Sequence, residues 1–378
     1  MVAHKTRVLI LGAGFGGLEL STQLSETLGE SADVTLIDKS DGFMFGFSKL
    51  DVMFGHADAK SVRMPYEKFV KPGVRFRRET ITAIDPAARR VTTDKGRYEA
   101  DHLVVALGAE YDCAATPGFA DVNEFYSTAG AEKLRDILPR FERGRALIGV
   151  CGAPFKCPPA PSECALMLHD FLERRGVRQA CEISMVLPLS SPVPPSPETS
   201  KALIAAFAER DIAFYAGKRI AAVDAKRGVA TLDDGAEMPF DLFIGVPKHR
   251  VPQVVLDSGL AQDGWIPVKP RTLETRHEGV YAVGDGANTG TPKAGVFAER
   301  AAKAVASALI AKVKGGAATE YDGFGTCYIE FGGGRIGKVE VDFFSGPTPT
   351  GTYHEPSMAL RDDKEEFGSS RRARWFGM

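Results

Sequence analysis

The sequence has little net charge, few cysteines and no long apolar run. Among its 378 residues the formal charge is −2, so nothing indicates nucleic acid or an anionic membrane surface as a partner. No run of about 18 apolar residues occurs, so no transmembrane helix is expected. Six cysteines are too few for a disulfide scaffold. No Cys-x-x-Cys pair or histidine cluster points to a metal site.

The beginning of the chain also has no segment that resembles a secretory leader. Residues 7–11 are predicted to form a buried parallel strand that starts almost at Met1. This leaves no room for a signal peptide. We therefore expect a cytoplasmic protein that is at most peripheral to the inner face of the membrane.

A glycine-rich loop follows this first strand. Residues 12–17 read GAGFGG and lead into a segment with helical spacing. Gly12 would make the tight turn, Gly14 would let the backbone approach a pyrophosphate, and Gly17 would let the helix pack on the strand. A second strand ends on Asp38, 21 residues after Gly17. The pattern predicts a dinucleotide-binding βαβ unit in which this carboxylate meets a ribose hydroxyl.

Two further short strands, at residues 103–109 and 279–285, end in small residues. With the glycine loop they resemble the two-dinucleotide-domain flavoproteins of the glutathione-reductase-like fold. The resemblance implies FAD, with its ribityl chain on Asp285, its adenine near the Ile81 backbone, and its pyrimidine edge near Lys293 and a helix N-terminus. The candidate cofactor residues beyond the three loop glycines are Asp38, Lys39, Ile81, Ala106, Gly108, Gly284, Asp285, Lys293 and Ala294.

The predicted fold class is α/β, with two Rossmann-like domains and a C-terminal α+β domain. Residues 1–108 and 238–308 would form a split FAD-binding domain. Residues 109–237 would form an inserted second Rossmann-like domain that lacks an NAD site. Residues 309–378 would form a C-terminal domain that covers the flavin.

The second domain lacks the glycine loop that would bind NADH. Where that loop is expected, residues 151–164 read CGAPFKCPPAPSEC. Prolines remove the backbone N–H groups that a pyrophosphate needs. The next strand, residues 183–187, is followed by Pro188 and Leu189, so it offers neither an acid for a ribose nor an arginine for a 2′-phosphate. We therefore predict a retained fold without its nucleotide.

Cys157 is the candidate that takes the place of NADH. It precedes a helix predicted over residues 162–175, and a helix N-terminus favours the thiolate. Glu163 in the first turn is either a capping residue or an acid/base that faces the sulfur. Cys327 lies in a short strand-like run, and a C-terminal domain over the flavin would bring it to Cys157. Three of the other cysteines are predicted to be small core residues, whereas Cys113 lies near the domain junction.

The whole chain resembles the sulfide:quinone oxidoreductase and flavocytochrome c sulfide dehydrogenase group. Residues 155–163 (FKCPPAPSE) are the most selective part of the resemblance, supported by residues 292–295 and 321–327. In that group, cysteines matching Cys157 and Cys327 form a redox disulfide. The resemblance implies that sulfide, or another small sulfur species, attacks this disulfide to form a persulfide. Electrons then pass to FAD and on to quinone or a cytochrome, and a homodimer is the candidate assembly.

Three departures from that group matter. Ser127 stands where some members carry a third cysteine, so growth of long polysulfides is not expected unless Cys113 takes its place. Residues 43–48 contain no cysteine that could attach FAD, so we predict non-covalent binding. The mixed-charge tail at residues 365–376 is expected to be solvated, unlike the membrane-dipping helices of some members.

Other functions fit parts of the pattern. A type II NADH dehydrogenase has the same fold but needs the missing second loop. A non-catalytic flavoprotein could use Cys157 and Cys327 to report thiol redox state to a partner. Both cysteines could also be core residues, although proline and glycine flanks are unusual for core positions.

Overall fold

The computed structural model describes residues 5–378. Within them lie eight α-helices: α1 Phe15–Leu28, α2 Ser48–Met53, α3 Thr128–Ile137, α4 Ala160–Arg174, α5 Pro197–Glu209, α6 Gln253–Asp257, α7 Gly295–Lys314 and α8 Leu360–Arg371. The strands are β1 Thr6–Leu11, β2 Ala32–Asp38, β3 Gly42–Phe43, β4 Met64–Pro65, β5 Val74–Arg78, β6 Ile81–Asp85, β7 Arg90–Thr93, β8 Arg97–Glu99, β9 His102–Val105, β10 Glu110–Asp112, β11 Asn123–Glu124, β12 Gly144–Val150, β13 Cys181–Leu187, β14 Ile212–Ala216, β15 Ile220–Asp224, β16 Val229–Leu232, β17 Glu237–Pro239, β18 Leu242–Val246, β19 Lys248–Arg250, β20 Ile266–Pro267, β21 Val280–Ala282, β22 Ala287–Asn288, β23 Phe324–Glu330, β24 Ile336–Asp342 and β25 Thr350–Ser357.

Two parallel sheets form the centre of the molecule. The first has the strand order β21-β9-β1-β2-β5 and the second β11-β18-β12-β13-β14. All pairings in both sheets are parallel. The inner strands β1, β9, β12 and β18 are largely apolar and buried, as sheets covered on both faces require, whereas the edge strands β5, β11 and β14 are partly exposed. The predicted α/β class with two Rossmann-like units is confirmed.

Two chain crossings connect these sheets. The short strands β10 and β19 pair antiparallel where the chain leaves the first sheet and where it returns. The first crossing lies between the end of β9 at Val105 and the start of β10 at Glu110. The return crossing differs from the predicted one, because β18 pairs with β12 in the second sheet. The second region therefore extends to Val246 rather than to residue 237.

The C-terminal part adds the antiparallel sheet β23-β24-β25 and helix α8. A π-helical turn, Arg372–Phe376, follows α8 and packs against α1. Trp375 is fully buried, and its Nε1–H donates to the buried carboxylate of Glu19 at 2.9 Å. The expected solvated tail was therefore wrong, because this carboxylate in α1 provides a buried partner for the tail. Among residues 5–378, none of the helices combines the length and apolarity that crossing a bilayer requires.

The glycine loop has the backbone form that the sequence predicts. Gly12 follows β1 with a φ of +97°, and a Cβ there would lie 2.4 Å from the carbonyl oxygen of Ala106. A Cβ on Gly17 would lie 1.9 Å from the carbonyl oxygen of Gly12. Neither position has room for a side chain, so both glycines are needed for the turn and for the approach of α1.

Candidate active site

A cavity of about 270 Å³ lies where the three parts of the chain meet. The glycine loop and the N-terminus of α7 form one side of it, and the loop before α4 forms another. Strand β23 and helix α8 close it from the C-terminal part. Its walls include the aromatic side chains Phe15, Phe43, Phe47, Phe125, Tyr126, Tyr328 and Phe367. The cavity is thus partly open and largely apolar, as cofactor sites usually are.

Both predicted thiols line this cavity. Cys157 lies in the loop between β12 and α4, where its φ is +48° and its N–H donates to the carbonyl of Lys293 at 2.7 Å. Cys327 lies in the middle of β23, opposite Val339 of β24. Both are free cysteines. The fold therefore brings to one cavity two thiols that are 170 residues apart in the chain.

The helix N-terminus has less effect on Cys157 than the sequence suggested. Burial, followed by the charges of Glu163 and Cys327, raises its pKa well above the ordinary value. A hydrogen bond from the Ala160 backbone acts in the expected direction but is outweighed. Burial and Glu163 likewise raise the pKa of Cys327 to about 12. Burial therefore acts against the thiolate character that the helix N-terminus predicts, because loss of hydration exceeds the contribution of one helix end.

Glu163 is an acid/base candidate and not a helix cap. It is 2 % exposed and lines the cavity, and helix α4 has no side-chain cap. Its Oε1 accepts a hydrogen bond of 3.0 Å from the backbone N–H of Glu330 in β23. Burial raises its pKa to about 7, although the charge of Lys364 and this hydrogen bond act to lower it. A carboxyl group with such a pKa can gain or lose a proton near neutral pH.

Most predicted cofactor residues also reach the cavity. Those that line it are Gly14, Ala106, Gly108, Gly284, Asp285, Lys293 and Ala294. A Cβ on Gly14 or Gly108 would meet no atom within 4 Å, so the backbone there leaves open space for a ligand. The buried Oδ1 of Asp285 has no hydrogen-bond partner among the described residues. An unpartnered acceptor beside a glycine cradle fits the ribityl hydroxyl groups and phosphates of a flavin dinucleotide.

Lysine side chains give the cavity a positive charge. Lys49, Lys156, Lys293 and Lys364 line it, against Glu163 and Asp285. Burial lowers the pKa of Lys293 to about 8. Its Nζ donates to the carbonyl of Ala287 at 2.8 Å and lies 4.1 Å from the ring centroid of Trp265. This lysine therefore adds charge beside the cavity while its ammonium group already has partners.

The other predicted cofactor residues lie away from this cavity. Gly12 and Gly17 allow the tight turn of the glycine loop and the close approach of α1, but they do not line the cavity. Asp38 accepts hydrogen bonds of 2.8 Å from the N–H groups of Ala13 and Ser40 at the end of β2.

Two of these predicted residues lie elsewhere, since Lys39 is exposed and Ile81 packs partly buried against a hydrophobic cluster. Lys39 is an exposed residue 3.7 Å from a carboxylate oxygen of Glu110. Ile81 opens β6 and pairs with Thr93. No contact of either residue with the cavity was found.

The loop between β12 and α4 carries the proline-rich segment from which the sequence predicts that no second pyrophosphate is bound. Pro154, Pro158 and Pro159 have no backbone N–H, so the loop has fewer hydrogen-bond donors for a phosphate. A Cβ on Gly152 would be 3.1 Å from the Lys248 side chain, which lies over the loop. Ser127 is the N-cap of α3, where its Oγ accepts from Gly130, and it is not in the cavity lining.

Several cavity residues were missed by the sequence analysis. Lys49 comes from α2, Tyr126 follows β11, and Lys364 and Phe367 come from α8. The Tyr126 hydroxyl donates to the Cys157 carbonyl at 3.4 Å. No local pattern marks these residues, and the expectation of a solvated tail at residues 365–376 concealed Phe367.

Comparison with known proteins agrees with this fold. A family model described as "Pyridine nucleotide-disulphide oxidoreductase" matches residues 6–308. The chain is 24% identical over 363 residues to the mitochondrial sulfide:quinone oxidoreductase of Mus musculus, covering 91% of this chain and 79% of that protein. The crystal structure of the sulfide:quinone oxidoreductase of Aquifex aeolicus aligns with a TM-score of 0.84 at 22% identity, covering 99% and 93% of the two chains. The resemblance predicted from the sequence is thereby confirmed.

A shorter match involves a different enzyme. A type II NADH:quinone oxidoreductase of Staphylococcus epidermidis is 39% identical over 110 residues. That match covers 29% of this chain and 27% of the relative. It reflects a shared segment, whereas the match to the Mus musculus protein extends along most of the chain.

Proposed function

The chain belongs to the pyridine nucleotide-disulphide oxidoreductase family, and we propose that it is an FAD-dependent oxidoreductase that oxidises sulfide or a related persulfide or thiol. In this proposal Cys157 and Cys327 form a redox disulfide, and electrons pass through FAD to quinone or a cytochrome. The observation that carries it is the meeting of both thiols with Glu163 and the cofactor cradle in one cavity. The long match to a sulfide:quinone oxidoreductase supports the sulfur substrate.

The cavity fits FAD, which when bound supplies an acceptor for two electrons. Gly14 and Gly108 would leave room for it, and Asp285 would accept from its ribityl hydroxyl groups. The N-terminus of α7 would place positive dipole charge beside its pyrimidine edge. Phe43, Met44, Gly46 and Phe47 line the cavity without a cysteine, which supports non-covalent binding.

The sulfur chemistry follows from the two thiols and the acid. Hydrosulfide attacks the disulfide between Cys157 and Cys327 by thiol–disulfide exchange, which gives a cysteine persulfide and a thiolate. Glu163 is placed to accept a proton from sulfur because it lies in the same cavity. The lysines around the cavity favour an anionic substrate such as hydrosulfide.

Quinone is the acceptor that the similarity to sulfide:quinone oxidoreductases favours. The aromatic side chains Phe47, Tyr328 and Phe367 in the cavity wall are compatible with a flat apolar molecule. Comparing a short-chain quinone with cytochrome c as oxidant of the sulfide-reduced protein distinguishes the two acceptors. Reoxidation by the quinone alone supports a quinone reductase, and reoxidation by cytochrome c alone assigns the protein to the cytochrome-linked type.

Anaerobic stopped-flow tests the proposal directly. The FAD-loaded protein is mixed separately with sulfide and with NADH while the flavin absorbance is followed. Bleaching by sulfide alone is expected. Bleaching by NADH alone would make the protein a nicotinamide enzyme, and bleaching by neither would favour a thiol-sensing flavoprotein.

Cysteine variants test the role of the thiol pair. Cys157→Ser and Cys327→Ser should each slow sulfide-driven bleaching by at least about a hundredfold while FAD stays bound. Cys113→Ser is the matched control, because this half-buried cysteine does not line the cavity and should leave the rate unchanged. A Cys157→Ser protein that reacts at the wild-type rate would contradict the mechanism.

A further inference from the structure

A second cavity of about 810 Å³ lies against the cofactor cavity. Its lining is rich in charged groups, including Asp51, His56, Asp170, Arg174 and Arg372. Phe47 and Lys364 line both cavities and therefore form part of the wall between them. The two cavities differ, since the lining of the cofactor cavity is mostly apolar and that of the second is about half polar.

Glu330 connects the buried acid to this wall. Its backbone N–H donates to Glu163 Oε1 at 3.0 Å, and its carboxylate forms an ion pair with the Lys364 ammonium. The side chains of Lys364 and Glu330 are only 14% and 16% exposed, so solvent screens their charges weakly. Lys364 Nζ also lies 5.3 Å from the ring centroid of Phe47. These contacts run from Glu163 in the cofactor cavity to Glu330 in the lining of the second cavity.

The charged and titratable groups around Glu163 come from several elements. They are Cys157 in the preceding loop, Cys164 in α4, Cys327 and Glu330 in β23, Lys364 in α8, Asp51 in α2 and Tyr126 after β11. Lys364 is the cation among them. Burial acts to lower its pKa, but Glu330 and Glu163 outweigh this and raise it, so Lys364 remains charged near neutral pH.

We propose that the Lys364–Glu330 pair is a positioning device that sets the protonation of Glu163 and connects it to the second cavity. The inference rests on the proposed function, in which Glu163 accepts a proton from sulfur. Lys364 favours the carboxylate form of Glu163, and Glu330 opposes it while holding Lys364 in place. Neither residue contacts the reacting sulfur in this proposal.

The attack of hydrosulfide on the disulfide, during which the Lys364–Glu330 pair acts on Glu163, needs no further oxidant or reductant. Hydrosulfide breaks the Cys157–Cys327 bond and forms a new S–S bond, which leaves one persulfide S–H and one thiolate. The carboxylate of Glu163 takes the persulfide proton and becomes a neutral acid. Glu163 then releases this proton on the side where Glu330 and Lys364 lie, to water in the second cavity. Loss of the proton restores the carboxylate.

Two substitutions should shift the titration of Glu163 in opposite directions. Lys364→Met removes the favourable cation, so the Glu163 midpoint should rise by roughly one pH unit or more. Glu330→Gln removes a like charge and frees Lys364, so the midpoint should fall. Infrared difference titration of the FAD-loaded protein without substrate measures both, with the Glu163 carboxyl band assigned by its loss in Glu163→Gln.

Controls separate this role from a structural one. Lys364→Arg should restore the wild-type midpoint. Lys338→Met should not move it, because Lys338 pairs with Glu340 and Asp363 at 3.7 and 3.9 Å and does not line the cofactor cavity. Shifts of the same sign for Lys364→Met and Glu330→Gln, or an unmoved midpoint in either variant, would overturn the proposal.

The kinetic readout separates this inference from the function on which it rests. In Lys364→Met, sulfide-driven flavin reduction at pH 7 should fall roughly fivefold and recover at higher pH, because a one-unit rise of a midpoint near 7 lowers the carboxylate fraction by about that factor. If sulfide never reduces the wild-type flavin, the proposed function fails while the infrared titration still decides the role of Lys364. If the wild type reacts and the variant keeps its pH profile, only the positioning role is lost.

Discussion

At the scale of single residues, Glu163 is a carboxyl group that the fold buries, although its charged form is more stable in water. Its pKa rises from the ordinary value of 4.5 to about 7 because burial penalises the charged form. The folded protein therefore binds more protons here than the unfolded chain between these pH values. The resulting contribution to stability is present below pH 4.5 and is lost as the pH rises to 7.

Glu163→Gln should consequently stabilise the protein at alkaline pH. The amide keeps an acceptor for the Glu330 N–H but carries no charge to bury. We expect a gain of about 1–3 kcal/mol at pH 8 and little change at pH 4.5. Thermal unfolding of both proteins at the two pH values measures the difference. A variant that is no more stable than the wild type at pH 8 would contradict the electrostatic account.

Asp285 is the second residue that the fold leaves with an unmet requirement. Its Oδ1 is buried without a partner among the residues that the structure describes. Asp285→Ala should weaken FAD binding by roughly 10- to 100-fold, whereas Asp285→Asn, which keeps an acceptor, should lose less. Flavin fluorescence on titrating the apoprotein gives both affinities. Asp234→Ala, an exposed position paired with Lys218, serves as the control and should bind FAD normally.

At the scale of elements, the glycine loop between β1 and α1 needs its glycines for two different reasons. Gly17 packs against backbone, since a Cβ would lie 1.9 Å from the Gly12 carbonyl oxygen. Gly14 faces open space in the cavity wall. The first position serves the fold and the second serves the ligand.

Alanine at these two positions should therefore have different effects. Gly17→Ala should cost about 1–3 kcal/mol or prevent folding, because neighbouring backbone must move. Gly14→Ala should fold with a near-normal melting temperature as apoprotein but bind FAD poorly. Calorimetry of the apoproteins together with FAD titration distinguishes these effects. Equal losses of stability in both variants would refute the distinction.

At the scale of the whole molecule, the C-terminal turn ties the last residues to the cofactor unit. Arg374 pairs with Glu19 at 3.1 Å and with Glu26 at 2.8 Å. The Trp375 ring packs edge-on against Phe15, with ring centroids 5.6 Å apart. Phe15 follows Gly14 in the loop and lines the cavity. The C-terminal turn thus supports one wall of a cavity that residues from three parts of the chain line.

Removing this support should weaken both the fold and the site. Trp375→Ala should cost about 3–5 kcal/mol, since a large buried ring is lost beside a buried carboxylate. It should also lower FAD retention, because Phe15 loses a packing partner. Melting temperature and bound flavin per chain measure the two effects. Met378→Ala, at a position 50% exposed, should change neither.

Local rules explain why the sequence predicted the dinucleotide unit well. Gly12 needs a positive φ, buried parallel strands need continuous apolar residues, and Asp38 must follow β2 at a set spacing. The strand boundaries were less accurate. The segment at residues 103–109 stops as a strand at Val105, and Gly108 has a φ of +66°. The return crossing was also misplaced, because the pairing of β18 with β12 is a long-range choice.

The sequence by itself determined the α/β class, the glycine loop, the proline-rich replacement of the second loop and the two candidate thiols, since each depends on neighbouring residues. Only the tertiary structure decided that Glu163 faces the thiols, that burial outweighs a helix end at Cys157, and that Lys364 lies beside them. Burial and electrostatics depend on every element packed around a group. Elements far apart in the chain supply those surroundings, so no local pattern contains them.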